Sequence, residues 1–390
     1  MQTEFSDRIN DVPRSFIREI LKVAVNENII SFAGGLPNPA LFPVRQIRDA
    51  AVSVLDNHGA EVLQYSNSEG YLPLREWIAD RYAGQGLQVD PDNILVTTGS
   101  QQGLDLLGKT LLNEGDNVAI EEPGYLGAIQ AFSIYRPRFH GVPVAEGGVD
   151  TAIFESVIQS NKPKLFYCVP NFQNPSGISY DEDNRLSIAK ILEGSSTYLI
   201  EDDPYGALRF SGQPKAPFKK LLPEQTILLG SFSKIVAPSF RLGWLVAEGD
   251  LMQKLLIAKQ ATDLHTPYIN QRILYQYLSD NSIDDHIKLI CENYGSQCQH
   301  MLQALQREFP DNCSFTRPEG GMFLWMTLPE GMSSMKLFEH AIKKQVAFVP
   351  GDPFYFDDRE CNTLRLNFSC SNKDKIDEGI RHLGESVRDM

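Results

Sequence analysis

The sequence predicts an α/β protein, with a mostly parallel sheet covered by helices on both faces and a smaller α+β domain beside it. Two observations along the 390-residue chain predict it. From about Asn93 to Ala247, short apolar runs alternate with amphipathic stretches, and beyond Asp250 long helical periodicity takes over before a set of short strands. A third observation sets the scale. With 42 % hydrophobic and 22 % charged residues, the chain is ordinary globular material, long enough for two domains.

In chain order, "RSFIREILKVA" reads as a helix and "SFAGGLPNPALFP" as a loop; both are expected to pack against the small domain. The expected strands are "NILVTT", "NVAIEE", "KLFYCV", "TYLIED", "TILLGS" and "RLGWLVA", each a short apolar run bounded by turn residues. Between them, helices are expected at Gln101–Leu112, Tyr125–Ile134 and Glu182–Leu192. Helical periodicity then runs through "LMQKLLIAKQ" and "IDDHIKLICENYGSQCQHMLQALQREF". The strands "GGMFLWMTL", "VAFVP" and "TLRLNFS" follow around a helix at Ser334–Lys344, and a last helix starts at Asp374. The expected division is 1–40 as an N-terminal segment, 41–280 as the large domain and 281–390 as the small one.

The formal net charge of −14 argues against nucleic acid or an anionic membrane as the main partner. No apolar run approaches the ~20 residues that a membrane helix needs. The opening "MQTEFSDRIN" has no signal-peptide core, and the six cysteines show no CxxC pairing, so reduced thiols and a cytoplasmic address are expected.

Ligands of open α/β sheets bind beyond the carboxyl ends of the strands, so those ends are where chemistry is sought. After "NILVTT", Gly99 is followed by Ser100, Gln101 and Gln102 opening a helix, either an anion site or a plain capped turn. After "NVAIEE", Tyr125 offers a ring that either stacks on a flat ligand or anchors a turn. After "KLFYCV", Asn174 lies in "PNFQNPSG" as a turn starter or an amide donor. After "TYLI" come Glu201, Asp202 and Asp203, whose burial is costly unless something positive meets them. No His or Cys lies near enough in sequence to suggest a metal; the stretch is either a solvated loop or a site for a protonated ring nitrogen, with the Tyr205 phenol alongside. Last comes Lys234 in "GSFSK": an apolar setting lowers a lysine's pKa and suits it to Schiff-base chemistry, although most isolated lysines simply reach for solvent.

In order and at similar spacing, these stretches resemble fold-type I, class I/II pyridoxal-phosphate aminotransferases. The nearest branch contains kynurenine and α-aminoadipate aminotransferases. The resemblance runs from "RSFIREIL" and "ISFAGGLPNPALFP" through "LQYSNSEGYLPLREWIA", "TTGSQQGLDLL", "NPSG", "EDDPYG" and "SFSKIVAPSFRLGW" to "GGMFLW" and "TLRLNFS". It implies a seven-stranded-type sheet and pyridoxal 5′-phosphate as cofactor, with no metal. It implies ping-pong transfer of an amino group between an L-amino acid (aminoadipate, glutamate, aromatic or branched-chain) and a 2-oxo acid such as 2-oxoglutarate.

Carried over residue by residue, the resemblance implies that Lys234 forms the Schiff base and moves the proton, and that Asp202 pairs with the pyridine nitrogen. It places Tyr205 and Asn174 on the phenolic oxygen and Tyr125 on the ring face. Ser100, Gln101, Ser231, Ser233 and Arg241 hold the phosphate, with Gln102 counted beside them. Tyr65 is expected to reach the phosphate of a neighbouring subunit, which implies a homodimer with shared sites. Arg365 is expected to clamp the substrate α-carboxylate, helped by Asn174 and the Gly34-Gly35 backbone. Ser15 and Arg18 fall where aminoadipate-using relatives meet the substrate side chain, and Phe16 and Phe354 suit apolar ones. Ser176 and Ser239 stand where the family often has Thr and Gly. A β-lyase of the same fold is the alternative, and a cofactor-sensing regulator is disfavoured because little chain precedes "RSFIREIL".

Overall fold

The computed structural model describes residues 5–10, 12, 28–357 and 359–390. The expected helix "RSFIREILKVA" lies outside the described residues. Strand β1 (Ile30–Ser31) belongs to the N-terminal loop. The central sheet is built from β2 (Ile94–Thr97), β3 (Asn117–Glu122), β4 (Arg138–Ala145), β5 (Gly148–Val149), β6 (Leu165–Cys168), β7 (Tyr198–Asp202), β8 (Thr226–Ser231) and β9 (Gly243–Val246). Its strand order is β2-β9-β8-β7-β6-β3-β4-β5. The run β8-β7-β6-β3-β4 is parallel throughout, while β9 is antiparallel to both its neighbours and β5 is antiparallel to β4.

The sheet therefore has eight strands where a seven-stranded type was expected, the extra one being the two-residue β5. The six expected strands are present. β4 was not foreseen, because "RFHGVPVA" carries Gly141 and Pro143 and shows no continuous apolar run. Helices Val44–Val62, Leu72–Ala83, Thr151–Asn161 and Tyr268–Asp280 were also not among the expected elements.

Every residue of β2, β6, β8 and β9 is buried, as a sheet covered on both faces requires. The period of two decides which core each side chain joins. Leu165 and Tyr167 of β6 face the larger core, alongside helices Ser100–Leu111 and Leu126–Ser133, whereas Phe166 and Cys168 face a second cluster with Phe154, Ile188 and Phe218.

The C-terminal part contains β10 (Ser314–Phe315), β11 (Phe323–Thr327), β12 (Val346–Ala347), β13 (Val349–Pro350) and β14 (Thr363–Asn367). Four of these form an antiparallel sheet in the order β10-β11-β14-β13, and β12 pairs in parallel with β1. Helices Ile283–Glu308 and Lys373–Arg388 pack together there. Among the described residues, no helix is long and apolar enough to cross a membrane.

Candidate active site

Five strand ends, those of β2, β3, β6, β7 and β8, deliver side chains to one cleft of about 450 Å³. The small sheet closes it with Phe323 and Arg365, and the N-terminal loop contributes Gly35.

The β2 end turns at Gly99, whose φ of 73° is left-handed, and a Cβ there would collide with the Arg241 guanidinium. The helix Ser100–Leu111 begins without a side-chain cap, so the Ser100 and Gln101 N–H groups lack a backbone acceptor and face the cleft. Arg241 stands opposite on an exposed turn, donating from Nη2 to Thr98 O at 3.3 Å. Ser231 and Ser233 complete this wall, with Ser233 N–H donating to Ser231 Oγ at 3.1 Å.

Lys234 follows directly. Its Nζ donates to Gly35 O at 2.8 Å. Burial, helped by the nearby Arg365 and Arg241 charges, lowers its pKa to about 8. Across the cleft, burial pushes the Asp202 carboxyl up to about 7 against an opposing hydrogen bond from Tyr167, while the Asp203 charge adds to the rise. Tyr167 Oη donates to Asp202 Oδ2 at 2.7 Å. The other oxygen, Oδ1, is buried with no partner among the described residues. Tyr205 is buried beside Asn174, and burial holds its phenol well above the ordinary range. Tyr125 lines the cleft and stacks loosely on Tyr167, with centroids 6.5 Å apart and planes at 25°.

Arg365, on β14, is buried. Nη1 donates to Asn174 Oδ1 and Nη2 to Ala33 O, both at 2.7 Å, while Nε is buried without a partner among the described residues. The guanidinium lies over the Phe323 ring at 4.3 Å and the Phe354 ring at 5.3 Å. No carboxylate among the described residues pairs with it, and burial brings its pKa down to about 10.

The structure thus brings together Ser100, Gln101, Tyr125, Asn174, Asp202, Tyr205, Ser231, Ser233, Lys234, Arg241, Arg365 and Gly35. It does not bring Gln102 or Gly34 into the cleft lining. Gln102 lies one helical step round from Gln101, and its amide is engaged by Asp263 and Lys259 on the far side of the turn. Tyr65 is 78 % exposed, edge-on to His265 and outside this cleft. Ser15, Phe16 and Arg18 lie outside the described residues. Sequence reasoning missed Tyr167, which sits mid-strand, and Gln130 and Phe323, which also line the cleft.

These groups fit pyridoxal 5′-phosphate. An amine of lowered pKa suits its aldehyde, the unpartnered Asp202 oxygen suits a protonated ring nitrogen, and the uncapped helix start with Arg241 suits its phosphate. Among the described residues, no group of three or more His, Cys, Asp or Glu is assembled for a metal. Fold and site together define a fold-type I pyridoxal-phosphate enzyme.

Comparison with known proteins narrows that class. The pattern of class I and II aminotransferases matches residues 26–383. Aromatic-amino-acid aminotransferase 1 of Thermococcus litoralis is 41 % identical over 99 % of this chain and 94 % of its own. The structure of the α-aminoadipate aminotransferase of Thermus thermophilus, complexed with N-(5′-phosphopyridoxyl)-L-leucine, is 40 % identical with a TM-score of 0.92, covering 99 % of this chain and 97 % of that one. The kynurenine aminotransferase of Pyrococcus horikoshii gives 42 % identity and a TM-score of 0.94 with the same coverages. The chain belongs to the class I and II aminotransferase family. It is a pyridoxal-phosphate-dependent transaminase of the aminoadipate, kynurenine and aromatic branch, passing an amino group between an amino acid and a 2-oxo acid.

Proposed function

We propose that this transaminase accepts a broad set of L-amino acids (aminoadipate, glutamate, aromatic and branched-chain), with 2-oxoglutarate as acceptor. The observation that carries the reading is Arg365: a buried guanidinium with no carboxylate beside it among the described residues, in the same cleft as the Lys234 amine. A buried cation of this kind calls for an anion from outside, and an α-carboxylate fits its planar fork. Phe323 and Phe354, against its faces, offer an apolar surface to a substrate side chain.

When bound, pyridoxal phosphate supplies an aldehyde that bonds amines and a ring that stores the electron pair released at Cα. The protein's own residues do the rest. Burial brings the Lys234 Nζ pKa down to about 8, so it gives up its proton far more readily than a free lysine and can take the Cα proton and return it. Asp202 Oδ1 would accept the ring N–H, and the Tyr205 hydroxyl and Asn174 amide would donate to the phenolic oxygen. Ser100, Gln101, Ser231, Ser233 and Arg241 bind the phosphate.

The same reading includes a homodimer in which Tyr65 reaches the partner's phosphate. The exposed ring of Tyr65, with the exposed Leu63 two residues before it, supports it. It also includes the division into 1–40, 41–280 and 281–390, supported by the separate eight-stranded and four-stranded sheets, and a cytoplasmic location, supported by six free thiols.

The test is a panel of amino donors against 2-oxoglutarate, run with Lys234→Ala alongside. Turnover of several donors is expected, with loss of both turnover and the lysine-bound cofactor absorbance in the variant. Unchanged turnover by Lys234→Ala, or a single accepted donor, would overturn the reading.

A further inference from the structure

We propose that a cluster built on the buried Lys259, with Asp263 and Gln102, is the positioning device of the phosphate cradle, holding its turn in shape from behind. The proposal rests on the reading that Ser100, Gln101 and Arg241 bind the phosphate.

Lys259, on the helix Gly249–Asp263, is fully buried, and its ammonium donates three bonds. They run to Gln102 Oε1 at 2.7 Å, Asp263 Oδ1 at 2.7 Å and Thr266 Oγ1 at 2.9 Å. Three donors on an ammonium are thereby all used. Gln102 extends the cluster: Oε1 also accepts from Thr98 N–H at 2.8 Å, and Nε2 donates to Asp263 Oδ2 at 2.7 Å. Thr98 Oγ1 adds a bond to the same carboxylate oxygen at 3.2 Å.

Everything therefore converges on Thr98, the residue before Gly99. Its N–H is held by Gln102, its hydroxyl by Asp263, and its carbonyl accepts from Arg241. Both walls of the cradle, the uncapped helix start and the Arg241 guanidinium, hinge on this one residue. The turn is tied on either side of Thr98 by Thr97 Oγ1 donating to Gly99 O at 2.9 Å and Gly99 N–H donating to Thr97 O at 2.8 Å, whereas the Thr98 N–H and hydroxyl are held by Gln102 and Asp263. The cluster sends no side chain of its own into the cleft. It acts on the cradle through the backbone.

The cluster also reaches the Tyr65 arm. Thr266 adjoins His265, whose Nδ1 lies 3.0 Å from Thr266 O and so carries the hydrogen of the pair. That leaves Nε2 to accept from Ser66 N–H at 3.3 Å, beside the Tyr65 ring, whose centroid is 5.9 Å from that of His265. One short segment, 263–266, thus supports the cradle of its own subunit and the arm assigned to its neighbour's.

The experiment titrates the apoprotein dimer with pyridoxal 5′-phosphate and, separately, with pyridoxal, which keeps the aldehyde and ring but lacks the phosphate. Absorbance of the lysine-bound form reports binding. Gln102→Leu and Lys259→Met are each expected to weaken the phosphate form by about tenfold or more while leaving pyridoxal within about twofold, the loss expected when one polar anchor is removed. Arg241→Ala should show the same selective pattern. Lys259→Met leaves the partly exposed Asp263 carboxylate without its ammonium and can disturb the helix end; Gln102→Leu, on a half-buried position, keeps the test decisive. If wild type prefers the phosphate form but Gln102→Leu loses nothing, or loses equally on both ligands, the positioning role is overturned. If wild type binds both ligands alike, the cradle assignment falls as well.

Discussion

Replacing Tyr167 with Phe deletes one hydroxyl from the centre of the site and leaves its ring contacts in place. The ring lies against Tyr125 and edge-on to Phe132, contacts that phenylalanine keeps. What disappears is the 2.7 Å hydrogen bond to Asp202 Oδ2. Burial already pushes the Asp202 carboxyl up to about 7, and the Tyr167 bond is the main force pulling it down. A hydrogen bond to a charged group contributes about 1.5–3 kcal/mol, and one pH unit corresponds to about 1.4 kcal/mol. The Asp202 titration should therefore move upward by about one to two units in the variant.

The assay is infrared difference spectroscopy on the apoprotein, following the protonated carboxyl stretch across pH, with Asp202→Asn as the subtraction reference. In the loaded enzyme a more reluctant Asp202 competes less well for the ring N–H. Cofactor affinity near neutral pH should then fall by about tenfold, with the deficit shrinking as pH rises past the new titration. An Asp202 stretch that titrates at the same pH with and without the Tyr167 hydroxyl would refute the argument. The carboxylate would then owe its ionisation to something other than this bond.

Two further outcomes follow from the same geometry. Arg365→Lys keeps a positive charge but gives up the planar fork and the bonds to Asn174 and Ala33, so the KM for amino donors should rise by about tenfold or more, with cofactor affinity near wild type; an unchanged KM would show that the α-carboxylate binds elsewhere. For Asp202, a folded pKa near 7 against an ordinary 3.8 means the folded apoprotein holds this proton more tightly than the unfolded chain does. Its contribution to stability is full below about pH 4 and is lost as pH rises to about 7, so apo Asp202→Asn should gain on wild type over that window by on the order of 4 kcal/mol. Calorimetry of both apoproteins at several pH values checks this, and a constant difference in Tm would contradict it.

The fold was legible where local pattern and tertiary environment agree. β6 and β8 are buried on both faces, so their sequences are continuous apolar runs that no amphipathic helix would show. β4 was invisible for the complementary reason. Near the sheet edge, with only β5 beyond it, its side chains are mostly half-buried and its pattern resembles a loop. The helix Val44–Val62 carries several exposed apolar residues, among them Val44, Val52 and Leu55, which blur the face that would mark it in sequence.

The site was legible to the extent that each functional group follows a strand end within a few residues, since a parallel sheet gathers those ends at one edge. What escaped were the groups that act by pairing across long sequence separations. Tyr167 reads as one more apolar residue of "KLFYCV", yet in parallel register it opposes Ile200, which places its hydroxyl near Asp202 two residues further along β7. The available signal was a phenol in a strand with no polar neighbour of its own, which needs a partner on an adjacent strand. Gln102 shows the converse error. Adjacency to Gln101 suggested the cleft, but one residue of helix turns a side chain by about 100°, toward Lys259 rather than the phosphate wall. Lys259 was passed over as an ordinary helical lysine, though its partner Asp263 stands four residues on and only the fold adds Gln102 and Thr266. Residues that touch the cofactor follow the chain's own punctuation and can be read locally. Residues that hold them follow the packing of one element on another, so they become visible only when buried polar atoms are matched, one by one, to their partners.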